Sequence, residues 1–413
     1  MPHIVVMVTT SYPRFPGDTV GTFMEPIAHG VAARGHEVHV VAPWHPLVTR
    51  PAREGDVHFH FFRYAPHPAL HVFGYAGGLR ADTALRGAAW AVAPLAMAAG
   101  WRLTRQVARA HRATIVHGHW VVPGGVIASY AAGPRPLVVS LHGSDVFVAE
   151  RHAILGRIAH QTFAHAGFVT ACSADLRDRA LRLGARADRS EVVPYGVDTT
   201  RFAPVSEAGR AEARAALGVA PDAPLVFAVG RLVRKKGFEY LIDAIARLAP
   251  ARPGLACAIA GAGDLDAELR GRARDHGVAD RVRFPGLLPH DRTAAAMAAA
   301  DIVAVPSVRD DAGNVDGLPN VVLEALATAT PVVATPAGGI GAVVEDGVTG
   351  RLVPERDPVR LAAALADLLD APHPARAMGA AARARVIQCY GWGRVAERFE
   401  AAYDAAASSP RAW

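Results

Sequence analysis

Leu225-Val-Phe-Ala-Val229, Gly230-Arg-Leu-Val-Arg-Lys-Lys-Gly237 and Phe238-Glu-Tyr-Leu-Ile-Asp-Ala-Ile-Ala-Arg-Leu248 follow one another without a break. The first piece reads as a strand, the last as a helix, and the piece between as a loop that begins and ends on glycine. In a parallel α/β sheet such a loop lies at the carboxyl end of its strand, where ligands bind. Arg231 and Lys236 suit phosphate oxygens there: an arginine forks onto two of them, a lysine supplies a compact charge, and the helix start adds its partial positive end. The loop is not of the Walker type, because a Gly-Lys-Ser/Thr ending is absent. Of the 44 basic residues in the chain only Lys235 and Lys236 are lysines, which singles the loop out.

The same strand–loop–helix unit recurs on both sides. Downstream, strand Ala256–Ala260 runs into Gly261-Ala262-Gly263-Asp264 and a helix over Leu265–His276. Strands at Val282–Phe284 and Ile302–Val305 flank a helix over Asp291–Ala299, and Asp316-Gly-Leu-Pro-Asn320 leads into a helix over Pro319–Ala329 and a strand over Val332–Ala334. Strand Gly350–Val353 is followed by helices at Pro358–Leu369, Ala375–Gln388 and Arg394–Ala406. Upstream, strand His3–Val8 opens into a loop holding Gly21, then a helix over Phe23–Arg34 stopped by Gly35, then strand Val38–Ala42. Val57–Tyr64 alternates as a strand, and Ala81–His111 reads as one long or broken helical region. Strand Thr114–Val116 delivers His117 and His119, strand Leu137–Leu141 delivers His142, Gly143 and Asp145, and Ser173 caps a helix over Ala174–Leu183. Strict alternation of strands and helices predicts parallel sheets covered on both faces.

At 413 residues the chain exceeds one ordinary core, so two domains are expected. The expected bounds are 1–205 and 206–389, with a helix over about 390–413 crossing back to the first; the charged, alanine-rich residues 201–224 read as connection. The net charge of +6 is carried by arginines scattered along the chain and not interleaved with aromatics, which excludes nucleic acid as a partner and fits an anionic substrate or membrane surface. Cys172, Cys257 and Cys389 lie too far apart for a metal or redox spacing and read as buried thiols in a reducing compartment. The run His3–Val8 lacks the pattern of a secretory leader. Gly87–Trp101, interrupted by Pro94, is too short to span a bilayer, which takes about 20 residues; it reads as a packed helix, with a membrane-leaning face around Trp90 and Trp101 as the alternative.

Asp316 and Glu324 stand eight positions apart, one in a loop and one inside the helix it feeds. A carboxylate accepts two hydrogen bonds from vicinal hydroxyls in a fixed geometry, so the pair suits a ribose and a sugar. Asp264 and Asp266 have the spacing of a divalent-metal pair, but they open a helix, where acids cap free N–H groups. A zinc site from His117, His119 and His142 lacks a fourth ligand, and no metal is expected. His117 reads as structural and His142 as an active-site residue.

Taken together, Arg34-Gly-His-Glu-Val38, His142-Gly-x-Asp145, Pro194-Tyr-Gly-Val-Asp198, Gly230-Arg-Leu232 with Lys236-Gly237, Gly261-x-Gly263 and the block from Asp316 to Gly339 resemble the retaining glycosyltransferases of family 4. The resemblance spans nearly the whole chain. It implies the GT-B architecture, two Rossmann-like α/β domains with parallel sheets facing across a cleft, the first on the acceptor side and the second binding a nucleotide sugar. It implies that Gly230, Arg231 and Lys236 hold the donor diphosphate and neutralise the leaving nucleotide, that Gly21 and Gly263 approach it, and that Phe284 borders the base. Glu324 takes the ribose, Asp316 with the backbone of Gly317, Leu318, Pro319 and Asn320 takes the sugar, and His142 faces the anomeric carbon. His142, Asp316, Arg231 and Lys236 are the implied catalytic set. No cofactor or metal is implied beyond a UDP- or GDP-linked sugar as co-substrate, because the cations stabilise the leaving charge. The family's Glu-x7-Glu pair is here Asp316-x7-Glu324, shorter by a methylene, with Asp311 as a further acid nearby; its Pro-Glu after Gly339-Ile340 is here Gly341-Ala342.

The expected function is transfer of a hexose to a saccharide or lipid-linked acceptor in surface glycan or glycolipid synthesis. The expected location is the cytoplasm, with peripheral attachment to the inner face of the membrane as an addition. A nucleotide-sugar epimerase on the same fold and a non-catalytic nucleotide- or glycan-binding protein are the alternatives; the first consumes donor without acceptor, and the second binds it without turnover.

Overall fold

The computed structural model describes residues 2–18, 20–75, 79–80, 84–85, 87–311 and 313–408. Part of the helical region expected over 81–111, including Ala81 and Arg86, and the side chain of Trp90 lie outside what is described. The chain forms two compact units, Met1–Tyr195 with Trp392–Trp413, and Gly196–Gly391.

The first unit runs β1 (Ile4–Val8), α1 (Met24–Ala33), β2 (Glu37–Pro43), β3 (Arg53–Glu54), β4 (Val57–Phe62), a two-strand ribbon β5 (Leu79–Arg80) and β6 (Ala84–Leu85), then α2 (Gly87–Ala110). It continues β7 (Ile115–His119), α3 (Val126–Ala132), β8 (Leu137–Leu141), α4 (Ser144–Arg151), α5 (Ala153–His165), β9 (Phe168–Ala171), α6 (Ala174–Arg182) and β10 (Ser190–Val192). The second unit holds α7 (Glu207–Ala216), β11 (Leu225–Val229), α8 (Phe238–Leu248), β12 (Ala256–Ala260), α9 (Asp266–Asp275), β13 (Val282–Gly286), α10 (His290–Ala299) and β14 (Ile302–Val305). After these come α11 (Asn320–Ala327), β15 (Val332–Ala334), α12 (Ile340–Val343), β16 (Arg351–Leu352), α13 (Pro358–Asp370) and α14 (Pro372–Cys389); α15 (Trp392–Ala407) returns to the first unit.

The first sheet has the order β10-β9-β8-β7-β1-β2-β4-β3. Its pairings are parallel except at the edge, where the short β3 runs antiparallel to β4. The second sheet, β13-β12-β11-β14-β15-β16, is parallel throughout. In both, chain order reverses beside the first strand, between β1 and β7 and between β11 and β14; these are the switch points at whose carboxyl edge a doubly wound sheet binds its ligand.

Alternation along each strand sorts its side chains between two faces. In the first unit Val5, Met7, Val38, Val40, Val57 and Phe59 pack with Ile27 and Val31 of α1 and with Val395, Phe399 and Tyr403 of α15. The opposite face is covered by α2 and α3: a Cβ added at Gly100 of α2 would lie 3.0 Å from Ile127 and 3.2 Å from Phe62. In the second unit Val226, Ala228, Cys257, Ile259, Ile302 and Ala304 form a core with α8, α9 and α13. Transfer of the Val, Ile, Met and Phe side chains among them from water stabilises by about 1.5–3 kcal/mol each.

Three expectations are corrected. The stretch expected as connection contains α7, capped by Ser206 Oγ accepting from Gly209 N at 3.2 Å. Its Arg214 is fully buried and donates to Asp301 Oδ2 at 2.7 Å and to the carbonyls of Ala299, Pro221 and Ala223, so a charge is the anchor where sequence periodicity looks for an apolar residue. Helix α9 begins without a side-chain cap; Asp266 pairs instead with Arg270 one turn on, at 2.9 Å. Cys172 and Cys257 are buried thiols, Cys257 pushed up to about 12 by burial, but Cys389 at the end of α14 is exposed. Among the described residues no helix is long and apolar enough to cross a membrane.

Candidate active site

In the second unit β11 ends at Val229 and the basic loop closes as a single turn over Arg234–Lys236, stopped by Gly237 at φ +65°. A Cβ on Gly237 would stand 1.9 Å from the Pro306 carbonyl, so only glycine lets this loop seat against the end of β14. Val308 N donates to Lys235 O at 2.9 Å and locks the two loops together across the switch point. Both lysines thereby reach one carboxylate: Lys236 Nζ donates to Asp316 Oδ2 at 2.6 Å, and Lys235 Nζ lies 2.9 Å from Oδ1. Burial raises the Asp316 pKa, but the charges and hydrogen bonds of Lys236 and Lys235 outweigh it and hold the carboxyl well below its ordinary range.

Gly317, Leu318 and Pro319 are buried and lead into α11, whose first residue, Asn320, has a buried Oδ1 without a hydrogen-bond partner. Glu324 follows one turn into α11. Burial pushes its carboxyl up to about 7, against the charges of Lys236 and Arg201. A Cβ at Gly338, where φ is +61°, would stand 1.9 Å from the Asp316 carbonyl, so the turn after β15 buttresses the Asp316 backbone. Gly230 N donates to Ala260 O at 3.0 Å, and the loop holding Arg231 is tied to the one holding Gly263 by Leu232 N to Ala262 O and Leu265 N to Leu232 O, both 3.0 Å. Arg231 lies exposed directly after the strand. Phe284 is on edge strand β13, its ring under the Arg270 guanidinium at 4.7 Å. Asp311 is 93% exposed and paired with Arg356 at 2.8 Å, so it does not serve as a buried substitute for Asp316.

In the first unit Gly21 sits in the β1–α1 loop at φ +67°, its carbonyl accepting from Met24 N at 2.9 Å. His142, at the end of β8, has both ring nitrogens engaged: Nε2 lies 3.0 Å from His119 Nδ1, and Nδ1 lies 2.9 Å from the Tyr195 hydroxyl. The rings of Phe23 and Trp120 pack around it, each at 4.8 Å. Burial, and then the neighbouring His119, lower its pKa well below the ordinary value, so it is a neutral imidazole. Asp145 ties the loops after β7 and β8 by accepting from Val121 N at 2.7 Å and Gly143 N at 3.0 Å; burial nevertheless raises it to about 6. His117 is structural, held between the Tyr403 and Ser140 hydroxyls at 2.9 and 2.6 Å. Of His117, His119 and His142, only His119 has a ring nitrogen, Nε2, left without a partner, so the three do not offer a set of zinc ligands.

Lys235, Arg201, His119 and Tyr195 belong to these clusters without having been singled out as site residues. The rarity of lysine marked Lys235, its place after a strand marked His119, and the motif from Pro194 to Asp198 held Tyr195; Arg201 carried no comparable signal.

Residues 20–201 match the family model described as Glycosyltransferase Family 4, and residues 209–385 match Glycosyl transferases group 1. The glycogen synthase of Mycobacterium tuberculosis is 30% identical over 98% of this chain and 96% of its own length. The GDP-mannose-dependent alpha-(1-6)-phosphatidylinositol monomannoside mannosyltransferase of Mycolicibacterium smegmatis is 38% identical over 63% of this chain and 68% of its own. Among solved structures, Anabaena HepE, in complex with UDP, superposes with a TM-score of 0.77 at 22% identity, covering 97% of this chain and all of that one. Sucrose-phosphate synthase of Thermosynechococcus elongatus gives 0.76 at 22% identity over 97% and 98%.

Proposed function

Because this chain belongs to glycosyltransferase family 4, we propose that it transfers a hexose, with retention, from a nucleotide diphosphate sugar to a saccharide or lipid-linked acceptor in surface glycan or glycolipid synthesis. The observation that carries the reading is the convergence of Lys235, Lys236 and Asp316 at the switch point of the second sheet, with Glu324 of α11 near enough to feel the Lys236 charge. Cations fixed where a leaving diphosphate develops charge stabilise the transition state without reorganisation. In this reading Arg231 and Lys236 neutralise the diphosphate, Glu324 accepts from the ribose hydroxyls, and Asp316 with Asn320 holds the sugar. The bond from the anomeric carbon to the phosphate oxygen breaks as the acceptor hydroxyl attacks the same face, and its proton passes to the departing phosphate oxygen. His142 acts at the transferred sugar, its Nδ1 exchanging the Tyr195 hydroxyl for one of the sugar's.

A GDP-mannose-dependent enzyme and a fold neighbour in complex with UDP are both among the relatives, so the donor is sought across UDP-, GDP- and ADP-sugars by thermal stabilisation, which mass action produces for a ligand of the native state. With the donor found, Arg231→Ala and Lys236→Ala are expected to abolish transfer while the melting transition persists; turnover like that of the unaltered chain in either would sink the diphosphate assignment. Product formation is expected to require acceptor. A cytoplasmic location with peripheral attachment to the membrane is part of the proposal, checked by co-sedimentation with anionic vesicles.

A further inference from the structure

On the face of the first sheet that α2 covers, β2 presents Glu37 and His39 and β4 presents His58 and His60, brought side by side by the parallel register His39–His58 and Val41–His60. His111, in the turn that ends α2, closes the group from above, its ring 3.9 Å from that of His39. His39 is fully buried; His60 and His111 are partly exposed, which leaves a way in from solvent. His39 Nδ1 lies 3.0 Å from His60 Nε2, and one ring nitrogen of each of His39, His60 and His111 lies within 4.8 Å of the other two. We propose that His39, His60 and His111 form a binding site for a divalent transition-metal ion of the zinc kind.

Three chemical features support the assignment. Imidazole nitrogens bind Zn²⁺ at about 2.0–2.1 Å, which in a tetrahedral shell sets neighbouring ligand atoms about 3.3 Å apart, close to the His39–His60 separation. His39 Nε2 lies 2.9 Å from Glu37 Oε1, so Nε2–H donates to the carboxylate and Nδ1 is left as the lone-pair atom facing His60. That carboxylate–histidine pairing is the outer-shell support that orients metal-bound imidazoles. His60 joins with its proton on Nδ1 and Nε2 as ligand. His111 supplies the third nitrogen, leaving a fourth position for water. The other candidate group, Glu25, His29 and Glu54, is already satisfied by a cation, since Arg50 donates to Glu25 Oε1 at 2.5 Å and Glu54 Oε2 at 2.6 Å.

The site lies on His39 in the first half of β2 and His60 in the middle of β4, apart from the loops that hold Gly21 and His142. An ion there clips the end of α2 to the sheet, a structural role separable from transfer.

The test uses the full chain without an affinity tag, stripped by a chelator, and titrated with Zn²⁺ by calorimetry and with Co²⁺ by visible absorption. One Zn²⁺ per chain, a higher melting temperature and the intense d–d bands of tetrahedral Co²⁺ are expected. His111→Ala, in the partly exposed turn after α2, is expected to weaken Zn²⁺ at least about tenfold, while His373→Ala, an exposed histidine in α14, leaves it unchanged. A chain that takes up no stoichiometric Zn²⁺, or a His111→Ala variant that loses less than about tenfold, overturns the proposal.

Discussion

Asp316 pairs with both Lys235 and Lys236 and offsets one of their two charges, so a phosphate arriving at these ammonium groups competes with a carboxylate already on them. Asp316→Asn is therefore expected to act in two opposite directions. Affinity for the free nucleoside diphosphate rises about tenfold, worth about 1.4 kcal/mol, while stability falls by about 3 kcal/mol because two part-buried cations lose their partner. Calorimetric titration and chemical denaturation separate the two effects. Glu324 gives a pH signature. Its carboxyl is raised to about 7 in the fold, so between about 4.5 and 7 the unfolded chain holds fewer protons there than the native one and this group's contribution to stability falls as pH rises. Glu324→Gln lacks that loss: the stability difference, variant minus unaltered chain, is expected to climb over this window and level off above pH 7, with an amplitude on the order of 2 kcal/mol after allowance for partial exposure. Spacing and rarity made Glu324 and Lys236 legible in the sequence. The part played by Lys235 was not, because adjacent residues on an extended strand point to opposite sides, and only the tight turn over Arg234–Lys236 sends both ammonium groups to one carboxylate. Asp311 shows the reverse: close to Asp316 in sequence, it is turned out to Arg356.

Each loop of the candidate site is positioned by contact with another loop. Gly338 is where that dependence is sharpest, since its missing Cβ makes room for the Asp316 carbonyl. Gly338→Ala adds a side chain in the left-handed region, costing about 1 kcal/mol, and displaces the Asp316 backbone. Transfer is expected to fall about a hundredfold, as a shift of about 1 Å at a reacting centre allows, with a modest fall in melting temperature; unaltered turnover would mean that Asp316 does not need its place. At this scale most of the buried strands were readable because they are short runs rich in apolar residues, with β11 and β12 running straight into Gly230 and Gly261. Helix α7 was not, because its anchor is the buried Arg214, bonded to Asp301 and to backbone carbonyls that only the finished fold assembles. The edge strand β3 was equally hidden: two residues, Arg53 and Glu54, carry no alternation to read.

At the scale of the molecule, the first unit is made of two separate pieces of chain, with the second unit inserted between them. The crossings lie side by side, since Val197 N donates to Tyr390 O at 2.9 Å and Val197 bridges Gly391. Helix α15 gives the first unit Val395, Phe399 and Tyr403, all buried. A chain ending at Gly391 forfeits about 1.5–3 kcal/mol for each of these side chains, a sum comparable with the about 5–15 kcal/mol that stabilises an ordinary domain. Such a truncation is expected to lose the near-ultraviolet circular dichroism of the first unit and to bind an apolar dye; a sharp two-transition melt would contradict it.

That discontinuous first unit also sets an order for biosynthesis. A ribosome delivers β1 through β10 first, then every residue of the inserted unit, and only afterwards the helix that seals the opening sheet. The nascent chain therefore carries an uncovered apolar face on Ile27 and Val31 of α1 and on Val138 of β8 while some two hundred further residues emerge, a time of roughly 10–40 seconds at about 5–20 residues per second. A prematurely terminated product keeps that face and is marked for chaperones and proteases, so translation of α15 serves as a check on completeness.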